Sequence, residues 1–339
     1  MKKLNYILLA GLSLVAAVSC NKQFNPADEP EVKAGVPMTL TATIGGTDTK
    51  LGFTKDGNAL KSTWGAKEKI TVVTLNTEHR VVTIDTFETG DESAGKTTAD
   101  FKGTLSTGYT DDIRVLYPAV SEFSENRYGS ALKPGTTNDR LIDNLTIKPG
   151  YPYGEEASFS VNHFTQASDG DLSHLADATL LEGVGTVSSE GVLAVTLNPM
   201  TAVLKLNLTL PDEVVSLSKR LTQIYLAVKD ASDNVYNCFP FYSYSYFAGT
   251  EMPKESNFNY LDFGFWTADN THNPMTISNT QFTAYMPILP AGTVTFGPSG
   301  GKKLEVHITG DYTKTNTIEL LNDTVIAPGK IYELDVDLR

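Results

Sequence analysis

Any chemistry in this chain would have to come from a small set of side chains. There are five histidines, at 79, 163, 174, 272 and 307, and two cysteines, at 20 and 238. No two histidines stand at metal-pair spacing, and no Cys-x-x-Cys, His-Glu-x-x-His or EF-hand pattern occurs. Gly297-Pro-Ser-Gly-Gly-Lys302 has the end of a phosphate loop, but Phe296 replaces its first glycine and Lys303 its hydroxyl residue. It reads as a hairpin turn. No Gly-x-Ser-x-Gly elbow is present. The acid pairs Asp111-Asp112 and Glu155-Glu156 fall in polar stretches and read as solvated. Cys238, inside an aromatic run, reads as a small buried hydrophobe. A catalytic group assembled across a fold leaves no trace in spacing, so a hydrolase with such a site stays open as a third reading. The leading expectation is a non-enzyme with no cofactor and no metal.

The one reactive residue in a telling context is Cys20. Met1-Lys-Lys3 is followed by an apolar run from Tyr6 to Val18, then Ser19 and Cys20. A charged start, a run of this length and small residues at its end mark a secretory signal. A membrane-spanning helix needs about 20 apolar residues, more than this run supplies. The ending resembles the lipobox of bacterial lipoproteins, with Ala17 in place of the usual leucine. That resemblance implies cleavage before Cys20 and its acylation, with chains such as palmitate, holding the protein to the outer membrane. Each buried methylene adds about 0.8 kcal/mol to such an anchor. The other reading is a secreted protein with a free N-terminal thiol. Loss of residues 1–19 removes two of 27 basic residues and none of the 40 acids, so the mature charge is 25 − 40 = −15. Nucleic acid is excluded as a partner, because it requires a basic footprint.

The elements that would position anything else are strands. Residues 20–36 are polar, carry two prolines and read as a flexible tether. From Met38-Thr-Leu-Thr-Ala-Thr-Ile44 onward the pattern alternates with period two, as half-buried strands require. Further runs are 70–75, 81–84, 112–117, 192–197, 202–210, 224–228, 282–285, 293–296, 303–308 and 331–338, with Gly, Pro, Asn and Asp clustered between them. Residues 171–181 carry the one helical spacing. The fold class is therefore all-β. Two tandem β-sandwich domains are expected, 37–190 and 191–339, divided at Val187-Ser-Ser-Glu-Gly191.

Several local motifs, in order, resemble the fimbrillin-like lipoproteins of Bacteroidetes. These are Thr39–Ile44, the Gly-Gly-Thr-Asp-Thr-Lys50 turn, Trp64-Gly-Ala-Lys-Glu68-Lys-Ile70-Thr-Val72, Tyr285-Met-Pro-Ile-Leu-Pro-Ala-Gly292 and Gly329-Lys-Ile-Tyr-Glu-Leu-Asp-Val336. Asn198 and Met200 stand where the family often has Phe and His, with Ala202 and Leu204 retained. The resemblance implies transthyretin-like fimbrillin domains and a subunit of type V pili on the cell surface, supporting adhesion. It also implies assembly by strand exchange after proteolysis.

For that mechanism, the strand to be displaced is the one carrying Met38, Leu40, Ala42 and Ile44, expected at a sheet edge. Lys50 is the candidate cleavage point for a trypsin-like or Arg/Lys-specific protease, with Lys33 and Lys55 as competitors. The candidate donor carries Tyr332, Leu334, Val336 and Leu338 on one face. Other fimbrial subunits and a host or bacterial surface ligand are the implied partners.

A second feature is Tyr236–Trp266, which holds 12 of the 32 aromatic residues. Core strands are the plainer reading. An adhesive face using Tyr242, Tyr244, Tyr246 and Trp266 is the functional one. It supports the alternative of a non-polymerising surface lipoprotein that binds glycan or protein.

Overall fold

The computed structural model describes residues 35–45, 54–56, 59–106, 112–120, 141–143, 158–160, 166–176, 179–187, 193–234, 260–264, 275–288, 295–318 and 320–339. The described residues are nearly all β. The first eleven strands are β1 (Val36–Ile44), β2 (Thr54–Asp56), β3 (Ala59–Lys61), β4 (Lys69–Leu75), β5 (Val81–Thr89), β6 (Thr98–Leu105), β7 (Asp112–Tyr117), β8 (Leu141–Asp143), β9 (Ser158–Ser160), β10 (Leu181–Val187) and β11 (Leu193–Pro199). The rest are β12 (Ala202–Thr209), β13 (Arg220–Lys229), β14 (Tyr260–Gly264), β15 (Met275–Thr276), β16 (Gln281–Ile288), β17 (Thr295–Phe296), β18 (Lys303–Gly310), β19 (Lys314–Ile318), β20 (Thr324–Val325) and β21 (Ile331–Asp337).

Seven of the early strands close into a barrel in the order β1-β11-β10-β7-β4-β5-β6. A sandwich was expected here. The sheet closes because β1 pairs on one side with β6, antiparallel, and on the other with β11, parallel. Alternation sends Leu40, Phe101, Ile113, Val115, Leu193 and Leu197 into one core. Trp64 packs edge-on against Phe101 at 5.0 Å and Tyr117 at 5.6 Å. Gly103 leaves room for the opposed Phe87 ring, which a Cβ at that position would meet at 2.6 Å.

The later strands form two sheets over a second core. One has the order β16-β12-β21, and the other β14-β13-β18-β19 with β15 added on β13. Leu204, Leu206 and Leu208 of β12, Ala284 and Met286 of β16 and Val336 of β21 face Ile224, Leu226, Val306 and Ile308 of the opposite sheet. This contiguous apolar cluster is the main stabilising feature of the unit.

Two expectations change. The division near residue 190 falls inside the β10–β11 hairpin, whose strands pair Val187 with Leu193. Leu193, Val195 and Leu197 point into the barrel core, so the chain passes between the units at Met200 and Thr201. The helical spacing at 171–181 yields only a 3-10 turn at Ser173–Ala176, and Leu181 already begins β10. Asp171 ends the preceding loop by accepting the Ser173 N–H, and Leu175 packs on Val203 and Tyr285. One short helix, α1 (Asp212–Ser216), had no counterpart in the pattern; Pro211 precedes it and Val214 anchors it in the core.

Candidate functional site

The predicted N-terminal strand is seated on both sides. Leu40 to Ile44 run in parallel register with Leu193 to Leu197, and Val36 to Thr43 oppose Leu105 to Thr98. Leu40, Ala42 and Ile44 are buried, and Met38 packs at the rim of the same core. On the outer face Thr41 donates to Asp100 at 2.8 Å and the Thr43 and Thr98 hydroxyls are 3.0 Å apart. The strand ends where the Ile44 N–H donates to Thr97 O at 3.0 Å and the Gly45 N–H to Leu197 O at 2.7 Å. The expected edge position is therefore corrected. β1 lies between two strands, and its length matches a slot bounded by β6 and β11.

The other predicted strand, β21, is at the end of its sheet. It runs parallel to β12, from Val203↔Ile331 to Thr209↔Asp337. Leu334, Val336 and Leu338 are buried in the second core, and Tyr332 packs against it. The Tyr332 hydroxyl donates to Val325 O and accepts the Ala327 N–H. On the outer face Glu333 pairs with Lys205, and Asn207 donates to both Glu333 and Asp335 at 2.8 Å. Asp337 is gripped by Arg339, whose side-chain and backbone N–H groups hold its carboxyl well below the usual range. Leu338 O accepts from the Tyr312 hydroxyl and Asp337 O from Asn316. The C-terminus is thus fixed by polar contacts at its tip and by apolar ones along its length.

Cys20, Lys50, Tyr242, Tyr244, Tyr246 and Trp266 lie outside the described residues. So do Cys238, His163 and His272. The remaining histidines have structural partners. His79 is 3.1 Å from Asp112, which also accepts from Arg114. His307 stacks on Tyr225 at 4.1 Å and contacts Glu305 and Thr315. Burial, followed by the Glu305 charge, pushes the Tyr225 hydroxyl up. His174 donates to the Tyr285 carbonyl at 2.7 Å. Among the described residues no group of three His, Cys, Asp or Glu side chains could hold a metal ion. Among the described residues, too, no helix is long and apolar enough to cross a membrane. The Gly297–Lys302 segment is a turn closed by a Gly297↔Lys302 bridge, as its sequence suggested.

Sequence reasoning missed a segment at 166–176 that binds the backbone of β16. Its signal was faint: Gln166 and His174 are isolated polar residues, and the helical spacing at 171–181 does not point to β16. Nothing in their spacing reveals that both are buried.

No protein-family profile matches the chain. No curated protein is similar to it in sequence. Solved structures are similar at low identity. A Bacteroides uniformis protein assigned to cell adhesion has 11% identity and a TM-score of 0.40, over 89% of this chain and 93% of that one. The fimbrial anchor protein Mfa2 from Porphyromonas gingivalis has 9% identity and a TM-score of 0.34, over 84% and 83%. The tip fimbrial protein Mfa3 of the same organism, truncated at its C-terminus, has 10% identity and a TM-score of 0.36, over 87% and 85%.

Proposed function

We propose that this chain is a structural subunit of a cell-surface fimbria, exported as a lipoprotein and assembled by strand exchange. What carries the reading is the seat of β1. It is the first described strand, it is paired along both sides, and its inward side chains complete the barrel core. In the proposed cycle, acylated Cys20 tethers the precursor to the outer membrane. A trypsin-like or Arg/Lys-specific protease cuts at Lys50, and β1 leaves with the lipid.

The vacated slot then exposes one edge of β6 and one of β11 together with the core beneath them. A strand from another subunit restores both ladders and the buried apolar row. Tyr332, Leu334, Val336 and Leu338 offer the same alternation as Met38, Leu40, Ala42 and Ile44. Four such side chains contribute about 1.5–3 kcal/mol each on burial, before the entropy of ordering the strand. The contact joins unlike surfaces, so it propagates as an open filament.

Electron microscopy of the purified protein before and after limited trypsin treatment tests the cycle. Filaments should appear only after cleavage. Filaments formed by uncleaved protein, or a cleaved and folded protein that stays monomeric, would count against it.

A further inference from the structure

β16 ends its sheet, and among the described residues it pairs with β12 alone. Its outward-pointing backbone belongs to Gln281, Thr283, Tyr285 and Pro287, the positions that alternate with those bonded to β12. Each is closed in a different way. The Thr283 N–H donates to Asp169 Oδ1 at 2.7 Å. Thr283 O accepts from Gln166 Nε2 at 2.8 Å and from the Gly170 N–H at 3.0 Å. The Tyr285 N–H donates to Gln166 Oε1 at 2.9 Å, and Tyr285 O accepts from His174 Nε2 at 2.7 Å. The Gln281 N–H donates to Asn279 Oδ1 at 3.2 Å. Pro287 has no N–H to offer.

The segment that supplies most of these partners is built for the task. Gln166 is fully buried and uses its amide oxygen and both amide hydrogens, the second on Ser168 O at 2.6 Å. Gly170, at φ 67°, makes the left-handed turn that brings its N–H to Thr283. Leu172 and Leu175 cover Val203, Tyr285 and Ile331, apolar residues on the outward face of the same sheet. The Gln166 amide thus mimics a peptide group of a neighbouring strand.

A row of open N–H and C=O groups beside an apolar patch is a template for another strand. We infer that residues 166–176 are an edge lock, whose role is to prevent β16 from pairing with an extended strand of a second copy of this chain. The lock acts whether or not β1 is ever released.

The test is the solution mass of the purified chain by light scattering on a sizing column. Gln166→Ala combined with Asp169→Ala should shift it from the wild-type mass to dimers and larger species. Adding Thr283→Pro to that background removes one of the two freed N–H groups, blocks ladder pairing at the middle of the edge and should restore the wild-type mass. A folded double variant with unchanged mass overturns the inference, as does association that persists with Thr283→Pro. If the double variant loses its sheet signal in circular dichroism, Asp169→Ala alone decides, since it frees only the Thr283 N–H. It should shift the mass in the same direction at high protein concentration, and no shift overturns the inference.

Discussion

Leu40 of β1 stands directly opposite Leu193 of β11 in parallel register, and both side chains are fully buried. A strand near the start of the chain is thereby welded to one that follows it by more than 150 residues. Leu40→Ala should lower the stability of the intact protein by about 2–5 kcal/mol, the usual range for a buried leucine. Urea unfolding followed by tryptophan fluorescence would measure this through Trp64. A loss below the range of a surface substitution would mean that β1 adds little to the barrel.

Processing is tested separately from packing. Lys50→Ala should leave the chain folded but uncleaved at that point. N-terminal sequencing of surface-extracted protein should then show no chain beginning at Leu51. Cys20→Ser should abolish incorporation of labelled palmitate. Cleavage that continues unchanged at Lys33 or Lys55 would move the proposed site rather than remove it.

The β21 geometry changes how a donor strand must be tested. Val336 and Leu338 belong to the chain's own second core, so deleting residues 331–339 removes part of that core as well as a donor. A synthetic peptide of residues 331–339 is the cleaner probe. Added to trypsin-treated protein, it should occupy the vacated slot and suppress filament growth in a dose-dependent way. A scrambled peptide with the same composition should not. Equal inhibition by both would exclude register-specific insertion.

Arg220 donates to Asp311 from its backbone and, at 3.1 Å, from its side chain. These bonds hold the Asp311 carboxyl below its ordinary 3.8. A group whose folded value is depressed stabilises the fold fully above its unfolded value, and loses that contribution as pH falls through the folded one. Stability should therefore decline below about pH 4 in the wild type. Asp311→Asn should flatten that part of the curve and leave its shape near neutrality unchanged. Thermal melts from pH 2 to 7 would check this. An identical acid limb in both proteins would mean that the pair is not linked to unfolding.

Much of the strand content was legible because half-buried strands write period two into the sequence. Met38–Ile44 and Lys303–Ile308 alternate cleanly and are strands as expected. β6 and β10 were missed for a shared reason. Gly103, Gly183 and Gly185 occupy inward or crowded positions where neighbouring side chains and backbone fill the space, which removes apolar residues from the pattern. Pairing partners were not legible at all. Nothing in the run Leu193–Leu197 states that its neighbour is β1, because a parallel ladder is fixed by distant chain closure and not by local turn chemistry. Of the candidate site, the alternating faces of β1 and β21 were readable, whereas the enclosed seat of β1 and the buried Gln166 required the tertiary fold.

The short link Met200–Thr201 gives the molecule a mechanical character. β1 lies parallel to β11, β11 continues through two residues into β12, and β12 lies parallel to β21. Tension applied between the start of β1 and the end of β21 pulls each parallel pair from opposite ends. Such loading slides strands along one another and strains every rung of a ladder together, whereas peeling breaks rungs one at a time. A strand that replaced β1 in the same direction would inherit this geometry. The topology therefore forms a continuous tensile path from β1 to β21, the path along which the strand-exchanged fibre proposed above would carry load.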